Sequence, residues 1–410
     1  MLTATTNTTG VLDTPFALPG GAIIKNRLVK AAMSEQLASL TGAPTEGLER
    51  LYARWARGGA GMLITGNVMI DQRSLGEPRN VVVEDERDIA ALRRWAAAAK
   101  AHDAAAIVQI NHPGRQSLVG LSSRVVAPSA IAVDYPGAAK PRALTGEEIV
   151  DLIARFAETA RIVVDAGFDG VQLHGAHGYL ISQFLSPAAN QRNDEWGGDP
   201  ERRRRFLLEV TRATRAAIGP ARILAIKLNS SDFQRGGFTE EESLDVIAQL
   251  DPEDIDLLEI SGGTYESPAM TGSAAESTRR REAYFLEFAE RVREITTDPL
   301  MVTGGFRTGA GMTDAIATGA ADLIGLARPL ALEPELPSDL LRDTASTQSS
   351  FQLKPLGIKK LDGAAEVWWT QHQLHRLAAG KNPDPTYGTR RALFSALRSN
   401  GINTLRRRRG

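Results

Sequence analysis

Three side chains that can polarise and protonate a substrate lie within six positions of one another. His174, His177 and Tyr179 occupy the segment HGAHGY, which begins at the end of the apolar run 169–174. Two imidazoles can hydrogen-bond a substrate oxygen. A phenol, with an ordinary pKa of about 10, is protonated at neutral pH and can donate a proton. This combination fits the reduction of an alkene conjugated to a carbonyl group.

Two other interpretations of this cluster remain open. Imidazoles three residues apart can bind a metal ion, although the segment contains no acidic partner and tyrosine is not a usual zinc ligand. The histidines can instead be structural, although a glycine-flanked loop at a strand end is a poor place for core packing. A metal-dependent hydrolase and a purely structural role therefore stand beside the catalytic interpretation.

The elements that must position this cluster recur along the chain as short, β-rich apolar runs. Most of the runs are apolar throughout, which is typical of parallel strands buried on both faces. Amphipathic helical segments, such as 152–167 and 203–219, lie between them. The runs are 26–32, 61–67, 105–110, 169–174, 222–228, 254–260, 299–304 and 321–327.

Several helix starts are also visible. Thr145 with Glu148, and Thr239 with Glu242, have capping-box spacing, and Asp199-Pro200 supplies an N-cap followed by proline. Strands that alternate with helices predict an α/β fold, a single (β/α)8 TIM barrel with its reacting groups at the carboxyl ends of the strands. An open sheet is the alternative. No G-x-G-x-x-G follows any run, which disfavours a dinucleotide-binding sheet.

The barrel repeat divides the chain into three segments. We expect a disordered lead-in at 1–10, the barrel at 11–340, and a C-terminal helical extension with a basic tail at 341–410. The extension contains Trp368-Trp369, interpreted as a packing pair in a helix. After Asp384 the chain has seven arginines and no acidic residue, interpreted as a solvated tail rather than a membrane or nucleic-acid patch.

The composition excludes several kinds of site. With 48 basic and 49 acidic side chains, no overall charge attracts nucleic acid or an anionic membrane. The absence of cysteine excludes disulfides, thiolate nucleophiles and thiolate-held iron–sulfur clusters. The polar start lacks a signal-peptide pattern, and no apolar stretch approaches a membrane span. We therefore expect a cytoplasmic protein without integral membrane association, and a homo-oligomeric state remains open.

The barrel, over about residues 11–335, resembles the Old Yellow Enzyme family of FMN-dependent ene-reductases. The stretch HGAHGYLISQFLSPAANQRNDEWGG at 174–198 carries the most specific part of the resemblance. It implies that NADH or NADPH reduces a non-covalently bound FMN and that an electron-poor alkene is then reduced in a ping-pong cycle. In that cycle, His174 and His177 polarise the carbonyl oxygen and Tyr179 protonates the α-carbon.

The same resemblance assigns residues at other strand ends to the flavin. Gln109 matches a glutamine that hydrogen-bonds the pyrimidine edge, and an amide suits this task because it donates and accepts. Lys227 interrupts the apolar run RILAIKL and needs an anion when buried, and the resemblance places it beside flavin N1 and O2. The loops after the seventh and eighth strands commonly bind phosphate in such barrels. The other assigned residues are Ala32, Met33, Ser34 and Gly66 at the ring, and Gly304, Gly305, Ala327 and Arg328 at the phosphate.

The sequence also departs from the family pattern. Ala32 replaces a common proline, Lys227 replaces a common arginine, and Glu35-Gln36 replaces a segment that supplies a further tyrosine in some relatives. Tyr265, in the loop 261–272, is expected to help shape the pocket. The main alternative is therefore another FMN-dependent dehydrogenase or demethylase on the same barrel, followed by the metal-dependent hydrolase and a non-catalytic flavin-binding scaffold.

Overall fold

The computed structural model describes residues 10–135, 137–263, 285–342 and 359–395, the last range with its side chains from 365 onward. Eight parallel strands close into a barrel, because the last strand pairs with the first, with Ile324 opposite Leu28. This closure confirms the predicted TIM barrel and excludes the open sheet. The strands are β1 (Leu28–Lys30), β2 (Met62–Ile64), β3 (Ala105–Asn111), β4 (Gly170–Gly175), β5 (Ile223–Asn229), β6 (Leu257–Ser261), β7 (Leu300–Thr303) and β8 (Leu323–Leu326).

Each predicted apolar run overlaps one of these strands to within a few residues. Every residue of β4 and of β5 is buried, which explains why the runs are apolar throughout rather than alternating. The strand register decides which inward-facing side chains meet. Gln172 of β4 lies opposite Gln109 of β3, and Lys227 of β5 lies opposite Glu259 of β6.

The helices begin where the sequence predicts. Thr145 and Thr239 each form a capping box, and Asp199 caps a helix that has Pro200 in its first turn. These side chains bond N–H groups of the first turn that would otherwise lack partners. The helices in the described ranges are α1 (Glu46–Arg57), α2 (Ile89–Ala99), α3 (Gly146–Asp165), α4 (Leu180–Leu185), α5 (Pro200–Ile218), α6 (Glu240–Leu250), α7 (Leu286–Arg293), α8 (Gly309–Ala317), α9 (Pro329–Leu332), α10 (Leu336–Leu341) and α11 (Lys359–Ala378).

The amino end of the barrel is filled by apolar side chains. A short antiparallel hairpin, Phe16–Ala17 with Ile23–Ile24, covers this end. Its Leu18 and Ile24 join an interior cluster that includes Ile107 of β3. Apolar burial excludes water here. The open end is therefore the carboxyl end of the strands, where barrel active sites lie.

Helix α11 lies outside the barrel repeat and packs against α1. Arg50 Nε donates to the carbonyl oxygen of Ala378 at 2.8 Å. His375 Nε2 lies 2.8 Å from the carbonyl oxygen of Glu35, in the loop after β1. The C-terminal extension therefore contacts the end of the barrel at which we expect the site.

The tryptophan pair of this helix differs in burial. Trp369 is 4% exposed and its indole N–H donates to the carbonyl oxygen of Tyr387 at 2.6 Å, whereas Trp368 is partly exposed. The predicted lead-in and basic tail fall mostly outside the described residues. Within the described ranges, no helix has the length and apolar character needed to cross a membrane.

Candidate active site

The three candidate catalytic residues lie together at the carboxyl end of β4. The ring centroid of His174 is 4.7 Å from that of Tyr179 and 5.2 Å from that of His177, with both pairs edge to face. His174 and Tyr179 are each 3% exposed, and His177 is partly exposed. The structure therefore forms one cluster from the residues that the sequence singled out.

Both imidazoles of the cluster are neutral. Burial, aided by the nearby positive charge of Lys227, holds the pKa of His174 and the pKa of His177 well below the ordinary value. Nδ1 of His174 accepts a hydrogen bond from the N–H of Ala176 at 3.3 Å, which places its proton on Nε2. Nε2 of His177 lies 2.8 Å from Ser261 Oγ. Neutral imidazole N–H groups can donate to a substrate oxygen.

The backbone of His177 is held in an unfavourable conformation. Its φ of 60° lies in the left-handed region, which non-glycine residues rarely adopt. Its N–H donates to Asn229 Oδ1 at 3.2 Å, and Asn229 Nδ2 in turn donates to the carbonyl oxygen of Gly263 at 3.1 Å. Such strain costs roughly 1–3 kcal/mol and persists where surrounding contacts enforce it. Asn229, the last residue of β5, therefore fixes the position of this imidazole.

Two asparagines that were not predicted from the sequence orient the Tyr179 hydroxyl. Asn111 Nδ2 donates to Asn67 Oδ1 at 3.3 Å, so that Asn67 turns its own NH2 group towards Tyr179 and donates to the phenol oxygen at 3.2 Å. Both asparagines are buried. Their one signal in the sequence is that each directly follows an apolar strand run or ends one.

Four buried polar side chains form a layer between the apolar cluster and the open end, which we call the polar layer. Gln109 Nε2 donates to Gln172 Oε1 at 2.7 Å, and Gln172 Nε2 donates to Glu259 Oε2 at 2.7 Å. Lys227 Nζ lies 2.8 Å from Glu259 Oε1. The anion that a buried Lys227 requires is thus a residue of the protein itself. Glu259 was not predicted from the sequence, although it interrupts its apolar run as Lys227 does.

The segment Ala32, Met33 and Ser34 follows β1 at the open end. Met33 is buried and the other two are partly exposed. Ser34 Oγ donates to the carboxyl group of Glu77. Burial raises the pKa of Glu77 to about 7, and the charge of Glu35 acts in the same direction. A carboxyl group that the sequence did not predict therefore faces the proposed ring-contact segment.

Gly66, which follows β2, is bonded within the protein. Its N–H donates to Glu35 Oε1 at 2.9 Å and to the hydroxyl of Tyr52 at 3.1 Å. A Cβ atom here would lie 2.1 Å from the carbonyl oxygen of Met33, so the approach requires glycine. Lys30 Nζ, 3.0 Å from the Tyr52 hydroxyl, completes this cluster, and burial lowers the pKa of Lys30 to about 8.

A cradle of small residues lies at the ends of β7 and β8, which pair with Thr303 opposite Gly325. Gly304 and Gly305 have φ values of 111° and 85°, which glycine adopts without strain. Thr303 Oγ1 is buried and has no hydrogen-bond partner among the described residues. A Cβ atom at Gly325 would lie 2.0 Å from that oxygen. A buried hydroxyl without a partner among the described residues, next to a glycine backbone, suits an oxyanion ligand.

Arg328 follows β8 at the start of α9. It follows Ala327, which packs against the hydrophobic core. The guanidinium of Arg328 forms an ion pair with the carboxylate of Glu366 in α11. The structure therefore places the predicted phosphate residues after two neighbouring strands, β7 and β8, and adds an acidic neighbour to Arg328 from the C-terminal extension.

The structure also bears on the predicted pocket loop and on the metal-binding alternative. Tyr265 and most of its loop lie outside the described residues. In the described ranges, no group of three or more histidine, aspartate or glutamate side chains is placed to hold a metal ion.

Residues 12–346 match the model of the NADH:flavin oxidoreductase / NADH oxidase family. The chain belongs to this family. It is 37% identical over 356 residues to an NADH-dependent flavin oxidoreductase of Hypocrea jecorina, a match that covers 80% of this chain and 88% of the relative. This member of the family is therefore an oxidoreductase that uses FMN with NADH or NADPH as reductant.

Solved structures place this flavin oxidoreductase with the Old Yellow Enzymes. An old yellow enzyme homologue from Zymomonas mobilis is 27% identical, with a TM-score of 0.70, and the match covers 85% of this chain and 95% of that one. Morphinone reductase in complex with tetrahydroNAD is 25% identical, with a TM-score of 0.69, and the match covers 82% of this chain and 91% of that one. The resemblance inferred from residues 174–198 is thereby confirmed.

The side chains present fit FMN. The unpartnered Thr303 hydroxyl and the Gly304–Gly305 backbone suit a phosphate. The amide of Gln109 and the ammonium of Lys227 suit the polar edge of a flavin ring. These two groups lie in the buried polar layer, directly below the open end of the barrel.

Proposed function

We propose that this enzyme reduces the activated C=C bond of α,β-unsaturated carbonyl compounds in a ping-pong cycle. The observation that carries the proposal is the cluster at the end of β4, in which two neutral imidazoles, His174 and His177, stand beside the phenol of Tyr179. Donors aimed at a carbonyl oxygen and an acid beside them are what conjugate reduction requires.

The proposed division of labour follows from the protonation states. As hydride reaches the β-carbon, negative charge develops on the carbonyl oxygen, and N–H donors of His174 and His177 stabilise it. A neutral imidazole whose pKa is far below 7 is a hydrogen-bond donor here rather than the acid. Tyr179 therefore supplies the proton that the α-carbon takes up, with its hydroxyl oriented by Asn67.

The remaining candidate residues are proposed to hold FMN, which supplies the hydride when bound. The barrel at 11–340 is accordingly proposed as the FMN-binding unit and 341–410 as an extension. The groups assigned to the flavin are Gln109 and Lys227 at the pyrimidine edge, Ala32, Met33, Ser34 and Gly66 at the ring, and Gly304, Gly305, Ala327 and Arg328 at the phosphate.

We further propose NADH as the reductant. The relative from Hypocrea jecorina is NADH-dependent, which supports this choice. Nicotinamide and alkene use the same pocket in turn. Rapid-mixing reduction with NADH and with NADPH is expected to be faster with NADH, and a preference for NADPH would contradict this part.

Tyr179→Phe tests the central proposal. Loss of the proton donor is expected to slow alkene reduction by roughly 10²–10⁴-fold, the usual contribution of a general acid, with flavin reduction by nicotinamide unchanged. Stopped-flow absorbance at the flavin band measures the two half-reactions separately. Tyr387→Phe is the matched control, because that hydroxyl donates to the carbonyl oxygen of Arg391 in the C-terminal segment.

Two results would contradict the proposal. Equal slowing of both half-reactions by Tyr179→Phe would remove its role as the acid. Negligible turnover of enones, nitroalkenes and unsaturated esters, combined with efficient oxidation of an alcohol or amine, would favour a dehydrogenase or demethylase on the same barrel.

A further inference from the structure

We propose that Glu259 and Gln172 are positioning residues that orient the amide of Gln109 and set the charge that Lys227 presents to the flavin. The inference rests on the flavin site proposed above and assigns a task to the other half of the polar layer. Both residues are fully buried.

The orientation of the two amides follows from the carboxylate. Because the Glu259 carboxylate can only accept, Gln172 must turn its NH2 group towards it, at 2.7 Å. Gln172 Oε1 then faces Gln109 and accepts from Gln109 Nε2, also at 2.7 Å. A flip of either amide would bring two acceptors, or two donors, into contact. The Glu259 carboxylate therefore orients the amide of Gln172 directly and the amide of Gln109 through Gln172.

Gln109 is thereby held in one arrangement. Its backbone N–H donates to Thr65 Oγ1 at 3.0 Å, and its side chain lies opposite Gln172 in the strand register. The amide oxygen and the second amide N–H of Gln109 therefore cannot exchange positions. A ligand edge with complementary donors and acceptors meets a site that needs no reorganisation, which favours binding.

Lys227 and Glu259 together set the charge at this edge of the site. Their ion pair of 2.8 Å is buried, with side-chain exposures of 5% and 0%, so little solvent screens either charge. A cation beside a flavin stabilises its anionic reduced form. A carboxylate in contact with that cation offsets the effect. Glu259 therefore lowers the reduction potential that Lys227 alone would produce.

A merely structural role for Glu259 leads to a different outcome. Removal of one member of a buried ion pair is costly to stability whether or not a ligand lies nearby. Stability alone therefore does not distinguish the two roles. The reduction potential of the bound flavin does, because it responds to the local charge.

Glu259→Gln in the FMN-loaded enzyme is the decisive variant. It keeps the shape of the side chain and removes the charge, so reduced flavin should gain about tenfold over oxidised flavin. That ratio corresponds to a midpoint potential about 30 mV higher for a two-electron couple. A spectroelectrochemical titration measures it.

Asp256→Asn is the matched control. Asp256 is also a buried carboxylate, 2.6 Å from Arg215 Nη2, but it precedes β6 at the opposite end of the barrel. We expect this control to lower stability and to leave the flavin potential unchanged.

Gln172→Met tests the orientation step separately. It keeps the ion pair between Lys227 and Glu259, so the potential should stay at the wild-type value. The amide of Gln109 loses its partner, and the dissociation constant for FMN should rise about three- to tenfold, as for one lost hydrogen bond. Quenching of FMN fluorescence on titration into flavin-stripped protein measures this dissociation constant. The measurement on Gln172→Met does not depend on whether Glu259→Gln folds.

The outcomes separate this inference from the proposed function. An unchanged potential in FMN-loaded Glu259→Gln overturns the charge step, and an unchanged dissociation constant in Gln172→Met overturns the orientation step. Wild-type protein that takes up FMN but does not reduce alkenes would contradict the proposed function and leave both steps testable.

Discussion

The position of each proton decides what the residues at the end of β4 can do. His174 carries its proton on Nε2 because Nδ1 accepts from the backbone of Ala176. The Tyr179 oxygen accepts from Asn67, whose amide is in turn fixed by Asn111. The proposed donor and the proposed acid are therefore oriented before a substrate enters. Pre-orientation of this kind is where enzymes gain much of their rate.

Asn67→Leu should weaken that orientation without removing the acid. Loss of one hydrogen bond, worth about 1 kcal/mol, is expected to slow alkene reduction about three- to tenfold and to leave flavin reduction unchanged. Single-turnover mixing of reduced enzyme with an enone measures the effect. The same substitution made in Tyr179→Phe supplies the control, since an effect that acts through the phenol should vanish there. A full effect in both backgrounds would show that Asn67 acts elsewhere.

The sequence predicted the residues that interrupt a pattern, but not the partners of those residues. His174, His177 and Tyr179 stand out because they occupy a glycine-flanked loop at a strand end. Lys227 stands out because an ammonium interrupts an apolar strand. Glu259 interrupts its own strand in the same way, yet its pairing with Lys227 depends on strand register, which a single sequence does not specify.

Among the elements, α11 shows how a segment outside the repeat reaches the site. The sequence predicted a helix containing Trp368-Trp369, and the structure has one at Lys359–Ala378. Its docking was not predictable, because contacts such as that between His375 and the carbonyl oxygen of Glu35 join residues more than three hundred positions apart. Through Glu366 this helix also reaches Arg328.

Glu366→Gln tests whether this helix competes with the cofactor phosphate. In the structure, Glu366 pairs with the Arg328 guanidinium, which we propose to bind phosphate. Partly exposed ion pairs contribute about 0–1 kcal/mol, so the variant should bind FMN up to about fivefold more tightly. Fluorescence titration of flavin-stripped protein measures the dissociation constant. Riboflavin, which lacks the phosphate, is the control, and its affinity should not change.

An equal gain in affinity for FMN and riboflavin would locate the effect elsewhere in the helix. Weaker FMN binding by the variant would instead show that the Glu366 carboxylate orients Arg328 for the phosphate. Either result would define how the contact between α11 and the barrel affects FMN binding.

At the scale of the whole molecule, the barrel was predictable because its signal is repeated. Each apolar run yielded one strand, and the caps at Thr145, Asp199 and Thr239 marked helix starts. The two-residue strands Val68–Met69 and Val81–Val82 were missed. Segments this short carry no periodicity, and their pairing is a tertiary effect: Val68–Met69 pairs with the end of β3, and Val81–Val82 pairs with Val68–Met69.

Buried neutral histidines also make the stability of the molecule depend on pH. Burial lowers the pKa of His112 to about 4 from an ordinary 6.5, and its Nδ1 accepts from the N–H of Gly114 at 3.1 Å. Between these values, the unfolded chain binds more protons than the folded one. The stability contributed by the neutral imidazole is therefore complete above pH 6.5 and is lost as the pH falls towards 4.

His112→Asn isolates this contribution, because the asparagine oxygen can still accept from Gly114. Between pH 7 and pH 5, we expect the variant to lose about 2 kcal/mol less unfolding free energy than the wild type. Urea unfolding at several pH values measures the difference, and parallel pH profiles for the two proteins would refute it. Other titrating groups, such as Glu77, contribute equally to both proteins and cancel.

The hairpin under the barrel has a kinetic consequence for the groups above it. Because Leu18 and Ile24 seal the amino end among the described residues, water reaches the amides of Gln109 and Gln172 from the carboxyl end. In the flavin site proposed above, FMN would cover that end. Solvent exchange at the two amides and departure of the cofactor would then share a route, so deuterium entry into Gln172 is expected to slow when FMN is bound.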